Sequence, residues 1–318
     1  MDVGAGLRLV ENAVVSESFV DQKANALAGA VYDGAGLLVT ESRRPDFGVW
    51  TYRDEARIVP AAGGERMAQG LFLGHFFSHF GHFLTETLPQ LIYAVEHDLP
   101  LIWHPWPHTG AVEHVVRIPH VRFMLDAFGV ADERIRFCGP SVSVDTLFLA
   151  PRFIPSEGRR SALPLRKVFE RVVRHARMAG SPAAERVYFS RRRFAGRARL
   201  VENEQDVEQE FASRGFSIVY PETLGIGEQV AIAAAATDIA GIDGSALHLA
   251  ACMKPKGRCF VVTTRGKHSG IGGWNELCDI DTIWLDHAKT WSEQGSLHAS
   301  IDIGKLSASL DERVPSVG

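Results

Sequence analysis

Three groups of residues in this chain have the types and spacing to do chemistry. The first is His75, His79, His82 and Glu86, within HFFSHFGHFLTE. On a helix, His79, His82 and Glu86 would share one face. Such a face can ligate zinc or iron, act as acid, base or hydroxyl-binding group in a cleft, or simply cap and pack. Gly81 weakens a regular helix running from His75, and the sequence supplies no matching ligand cluster elsewhere, so a four-ligand cage is not expected. The second group is SRRRFAGRAR, residues 190–199, with five arginines. Guanidinium groups stay charged and bind phosphate bidentately, so Arg191 and Arg199 are expected to offset charge on a diphosphate, the other three being solvated. The third is GIDGSALH, residues 241–248. Gly241 and Gly244 permit close backbone approach, and the N–H groups of a helix starting there suit an anion. A lone glycine loop is equally compatible with a tight turn; the arginines upstream give it weight.

Other signals point away from chemistry. Asp279 and Asp281 (CDIDTI) have the spacing of a metal-chelating DxD, but they fall late, in an apolar strand context. The four cysteines, Cys138, Cys252, Cys259 and Cys278, form no CxxC pattern and read as small buried apolar residues. With 46% hydrophobic and 23% charged residues among 318, the composition is that of an ordinary folded enzyme. A formal net charge of −4 argues against nucleic acid as partner, because reading a duplex takes a strong positive field. The N-terminal residues carry neither a basic n-region nor an apolar run, and no stretch reaches membrane-spanning length, so a soluble cytoplasmic protein is expected.

The elements that must position these groups follow from hydrophobic periodicity. Residues 13–59 read as short strands broken by glycines. A helix from His75 then leads into a strand at 101–103, a helix at 121–128 and strands at 135–137 and 146–149. Residues 151–164, rich in Pro, Ser, Gly and Arg, read as a linker. Beyond it, Leu165, Val168, Phe169, Val172, Val173 and Ala176 fall on one helical face, opposite Arg166, Lys167, Arg171, Arg174 and Arg177. The basic face reads as a solvated exterior, with docking on an anionic membrane as the alternative. Strand and helix then alternate: a strand at 187–190, a helix capped by Asn203 with Val207 and Phe211 inward, strands at 217–220, 238–241 and 259–263, and a helix at 228–236. That rhythm implies a parallel Rossmann-like sheet, whose ligands bind at the carboxyl ends of the strands. The expected division is residues 1–155, an α/β domain, and 156–318, a Rossmann-like domain.

Three blocks in order resemble glycosyltransferase family 61: FGHFLTETLPQL; FSRRR with Arg199 and Asn203-Glu204; and YPETLGIGEQVAIAAAATDIAGIDGSALH. Where eukaryotic members of that family place a histidine before the loop glycine, this chain has Asp243. His248 stands where they tend to carry Asn, and the GSALH ending is closer to the bacterial capsular and exopolysaccharide branch. The resemblance implies a GT-B fold of two Rossmann-like domains facing across a cleft. It implies inversion at the anomeric carbon, no metal and no cofactor. The donor, a nucleotide sugar taken to be UDP-linked, is a substrate, although no motif encodes the base. The acceptor is a glycan or lipid-linked saccharide, met in the cytoplasm or at the inner face of the membrane. On this reading His82 or Glu86 is the general base. Arg191, Arg199, Asn203, Glu204, Glu222, Asp243, Gly244, Ser245 and His248 form the donor site, with Glu204 or Glu222 orienting hydroxyls. The alternatives are a His/Glu metallohydrolase and a non-catalytic nucleotide-sugar-binding protein.

Overall fold

The computed structural model describes residues 6–21, 23–43, 51–58, 64–107, 109–151, 165–176, 184–194, 199–266, 269–293 and 296–314. The stretch 152–164 expected as a linker lies outside them. The chain divides into two compact units, Met1–Ile154 and Pro155–Gly318.

The first unit is built on strands β1 (Arg8–Val15), β2 (Val31–Tyr32), β3 (Leu38–Val39), β4 (Glu65–Phe76), β5 (Leu101–Pro105), β6 (Ile135–Phe137) and β7 (Val142–Leu149). Among the described residues they form one sheet in the order β3-β2-β1-β7-β4-β5-β6. Of the short glycine-broken runs, β2 and β3 form a hairpin turning at Asp33, whose carboxylate accepts the Ala35 and Leu37 N–H groups. The sheet is mixed. β7, β4, β5 and β6 run parallel, whereas β1, β2 and β3 add antiparallel pairs. Rossmann-like alternation therefore holds only for the half of this unit that carries the histidines. Helix Pro119–Phe128 packs there, ended by Gly129 in the left-handed conformation at φ 64°.

The second unit contains β8 (Arg186–Phe189), β9 (Arg199–Val201), β10 (Ser217–Val219), β11 (Asp238–Ile242), β12 (Arg258–Val262), β13 (Asp281–Leu285), β14 (Ala288–Glu293) and β15 (Ser296–Ile301). Its main sheet is wholly parallel, in the order β10-β8-β11-β12-β13. The first strand in sequence thus sits inside the sheet, with the second on one side and the third on the other. The order reverses between β8 and β11, which is where such sheets leave a crevice at the carboxyl ends. Strand β12 reads CFVV after its first residue, all buried, because helices cover both faces. Helices Leu165–Ala176, Ile226–Ala235 and Ser269–Leu277 pack with a 3-10 helix, Ser245–Cys252. Helices Glu204–Ala212 and Ile303–Asp311 pack with each other, and Val207, Phe211, Leu306 and Leu310 join Tyr188, Ala240 and Phe260 in one apolar core.

The amphipathic helix Leu165–Ala176 spends its apolar face inside this unit: Leu165, Val168, Phe169, Val172, Val173 and Ala176 are all buried. Lys167 and Arg174 are exposed on the other side. Arg177 lies outside the described residues. Among the described residues, no helix is long and apolar enough to cross a membrane. All four cysteines are buried thiols, and burial pushes Cys138, Cys259 and Cys278 up to about 12. They stay protonated at neutral pH, with little nucleophilic character.

Asn203 precedes helix Glu204–Ala212 but makes no side-chain cap bond. Its amide is used at longer range. Nδ2 donates to the Ile301 carbonyl at 2.9 Å, and Oδ1 accepts the Ile301 N–H at 2.9 Å. This pair clamps the end of β15 to the start of the helix, and Asn203 is thereby committed to the fold. Loss of such a bidentate pair leaves two backbone groups poorly satisfied, at about 1–3 kcal/mol. We expect Asn203→Ala to lower unfolding free energy in urea by about that amount; unchanged stability would contradict the clamp.

Candidate functional site

The first-unit site begins where β4 ends. The expected helix from His75 does not form: His75 is the penultimate residue of β4, 3% exposed, with its ring 5.7 Å from that of Trp106 and 5.5 Å from that of His104. The end of β4 is buried throughout from Gly70 to Phe76, which separates His75 from the three residues that follow in the helical segment. That segment is irregular, with one helical turn at Phe80–His82, a π turn at Phe83–Thr87, a 3-10 turn at Leu88–Gln90 and a short α-helix at Leu91–Glu96. Pro89 has no N–H to give to the residue four positions back, which is one cause of the broken regularity. π turns recur at functional sites because they re-aim side chains. Here the turn carries Glu86 and follows directly on His82, and His82 Nδ1 and Glu86 Oε1 lie 2.7 Å apart. His82 is 55% exposed at its side chain and Glu86 21%. The Phe77 ring stacks on His82 at 5.3 Å, and Trp106 lies 4.8 Å from Phe77. Phe77 is itself fixed, since its N–H donates to the buried Thr87 hydroxyl at 2.9 Å. A histidine held through Nδ1 by a carboxylate presents Nε2 as a base, the arrangement of an oriented general base. Among the described residues, no group of three or more His, Cys, Asp or Glu is placed to hold a metal ion.

The second-unit site lies at the switch point. Gly241 on β11 faces Phe189 on β8, and a Cβ there would stand 2.9 Å from the Phe189 carbonyl oxygen and 3.2 Å from the Leu247 side chain. Glycine is required at this position for β11 and the 3-10 helix to close in on β8. The loops leaving the two strands then meet. Arg191 lies beside Gly244, with Nη1 3.5 Å from where a Gly244 Cβ would be, and donates to the Asp243 carbonyl at 3.4 Å. Gly244 has extended backbone at φ 178°, so neither strain nor clash demands glycine there. Ser245 opens the 3-10 helix Ser245–Cys252, not an α-helix.

Buried carboxylates hold this loop pair. Glu204, 2% exposed, accepts the Arg191 N–H at 2.7 Å. Glu208, 5% exposed, accepts the Ser190 hydroxyl at 2.6 Å and the Arg192 Nε–H at 3.2 Å. Arg192 also donates to the Tyr220 hydroxyl at 3.0 Å, while the Arg193 guanidinium lies 4.0 Å above the Tyr220 ring. Arg192 and Arg193 are thus engaged with protein groups instead of being simply solvated. Glu204 carries the loop backbone, which places it beneath the site. Asp243, fully buried, accepts the Thr264 hydroxyl at 2.7 Å and the Arg265 Nε–H at 3.1 Å.

The remaining expected donor residues fall elsewhere. Arg199 is the first residue of β9, paired in register with Leu297; its side chain, like Arg197, lies outside the described residues. Glu222 is exposed in a 3-10 turn after β10, the edge strand. His248 points its half-buried ring at Trp274, 6.4 Å away and perpendicular, toward helix Ser269–Leu277. Sequence reasoning missed Glu208, Thr264 and Arg265. They carry no motif: helix Glu204–Ala212 brings Glu208 to Ser190 and Arg192, and the sheet order brings Thr264 and Arg265 to Asp243.

The second unit thus lays an arginine against a glycine loop at the switch point of its parallel sheet. The family model for Glycosyltransferase 61 matches residues 80–261, more than half of the chain, and the protein belongs to that family. The match begins at the His82 segment and ends within β12. Among curated proteins, none matches the chain.

The helix Pro119–Phe128 contributes one further titratable group. Burial holds the His120 imidazole below its usual range, against the opposing effect of its Nε2 hydrogen bond with the Ser78 carbonyl at 2.9 Å. The unfolded chain takes up this proton near pH 6.5 and the folded chain only below that. Stability is therefore full above about pH 6.5 and falls as the pH drops through the window beneath it. We expect the urea midpoint to fall between pH 7.5 and 5.5 in the wild type and to fall less in His120→Gln; equal slopes would contradict the assignment.

Proposed function

We propose that the protein is an inverting, metal-independent glycosyltransferase that moves a sugar from a nucleotide donor to a glycan or lipid-linked saccharide during bacterial polysaccharide or capsule assembly. The observation that carries this reading is Arg191 against the Gly244–Ser245 loop at the crevice between β8 and β11, in a chain of this family. In this account the second unit serves the donor and the first the acceptor, the division of labour of a GT-B enzyme. Its place is the cytoplasm, or the inner membrane face when the acceptor is lipid-linked.

Inversion takes one in-line displacement. A base removes the acceptor hydroxyl proton as the oxygen attacks the anomeric carbon, and the bond to the nucleoside diphosphate breaks on the far side with its electron pair leaving on the phosphate oxygen. Arg191 and the N–H groups at Ser245 stabilise the charge that grows there, supplying without a metal what a divalent cation would otherwise supply. His82, oriented by Glu86, takes the proton at Nε2. Positioned general bases contribute about 10²- to 10⁴-fold. Glu204 and Asp243 support the donor site from within the fold, and the donor base, taken to be uridine, is not fixed by either of them.

Two variants test the two halves. His82→Ala should lower kcat about 10²- to 10⁴-fold with donor binding intact; undiminished transfer would remove His82 from the base role. Gly244→Ala should leave thermal stability within about 0.5 kcal/mol, as for a surface change, while weakening nucleoside diphosphate binding measured by calorimetry. Unchanged binding in that variant, or transfer abolished by EDTA in the wild type, would contradict the account.

A further inference from the structure

Arg265 lies four residues beyond the last position matched to the family and carries no sequence motif. It leaves the carboxyl end of β12, the strand next to β11 on the side away from β8. Its placement is built with unusual care for an arginine that is half exposed. The loop is turned by Thr263, fully buried, whose hydroxyl donates to the Gly266 carbonyl at 2.7 Å and accepts the Arg265 N–H at 3.3 Å. Gly266 sits at φ +75°, a conformation that glycine takes readily. The side chain is then fixed by Asp243, whose Oδ2 accepts Nε–H at 3.1 Å. The Asp243 carboxylate is itself held from its other oxygen by the Thr264 hydroxyl at 2.7 Å and N–H at 3.3 Å.

Two features make this more than a surface ion pair. The Asp243 side chain is completely buried while that of Arg265 is 48% exposed. Asp243 is paired without the arginine being buried with it, so the positive charge stays displayed. And the anchoring atom is Nε, the one nitrogen set back along the side chain, so the two terminal nitrogens that form the phosphate-binding fork lie beyond the contact. Asp243 also carries the other cation, because its carbonyl accepts from Arg191. One residue therefore holds Arg191 from its backbone and Arg265 from its side chain, immediately before Gly244.

We propose that Arg265 is a second cation on the donor's diphosphate, acting with Arg191 across the start of the Gly244–Ser245 loop, and that Asp243 is a positioning residue for both arginines and does not touch the ligand. This rests on the reading that the second unit binds a nucleotide donor. A diphosphate offers a separate phosphoryl group to each guanidinium, whereas a monophosphate carries a single phosphoryl group and leaves the second arginine without one of its own. Arg265 thus gives the site its preference for diphosphates over monophosphates of the same nucleoside.

The test is isothermal titration calorimetry on the full chain. UDP, GDP, ADP and CDP are titrated first into the wild type, and then the best-bound diphosphate and its monophosphate into Arg265→Gln, Arg265→Lys and Asp243→Asn, with melting temperatures recorded for each. Arg265→Gln should weaken diphosphate binding tenfold or more, with monophosphate binding changed less than twofold. Arg265→Lys, which keeps the charge and loses the fork, should fall between. Asp243→Asn should lose part of the same preference, with a lowered melting temperature. If the diphosphate-to-monophosphate ratio in Arg265→Gln and Arg265→Lys equals that of the wild type, the role of Arg265 is overturned while the donor reading stands. If the wild type binds none of the four diphosphates, the donor reading falls and the role of Arg265 falls with it.

Discussion

The candidate donor site depends on how closely β11 can approach β8. Where Gly241 faces Phe189, any side chain would meet a backbone carbonyl at 2.9 Å, so this one position decides whether the loops after the two strands converge. Convergence lays Arg191 against Gly244 and brings Asp243 into reach of the β12 loop. Backbone cannot shift as a flexible side chain can, so the constraint is steric and absolute in a way that the hydrogen bonds around it are not.

Around that constraint, three buried carboxylates divide the labour. Glu204 holds the Arg191 backbone, Glu208 holds Ser190 and Arg192, and Asp243 holds Thr264 and Arg265. A buried carboxylate is costly unless it is well bonded, and breaking one partner away leaves that cost uncompensated. These acids therefore order cationic loops that would otherwise splay apart by mutual repulsion. The arginines belong to the candidate ligand surface; the acids belong to the scaffold beneath it. In the first unit the roles are reversed in scale: a single exposed histidine is oriented by one half-buried glutamate across a π turn, with aromatic rings packed behind it.

Much of this was legible in the residues, and the parts that were not have physical causes. The alternation of strand and helix after Arg186, the glycine loop and the arginine run all follow from local patterns of period, glycine and charge. The family blocks pointed to a glycosyltransferase, and the match across residues 80–261 shows the same family. His75 was misplaced because its neighbours have helical spacing, yet tertiary pairing of β4 with β5 and β7 extends the strand to Phe76. Asn203 has the composition of a helix cap, but its amide finds a better partner at Ile301, 98 residues away. No local pattern encodes such a partner. Arg265 was invisible for the same reason, since sheet order, and not sequence distance, brings it to Asp243. The antiparallel strands of the first unit escaped notice because short glycine-broken runs do not reveal their direction.

The most direct test of the central claim is a crystal structure of the full chain with a bound nucleoside diphosphate. The account predicts the diphosphate at the carboxyl ends of β8 and β11, with oxygens in hydrogen-bond reach of the Arg191 guanidinium and the Ser245 N–H. A well-ordered diphosphate held anywhere else on the second unit, with Arg191 and Gly244 left as they stand here, would contradict it.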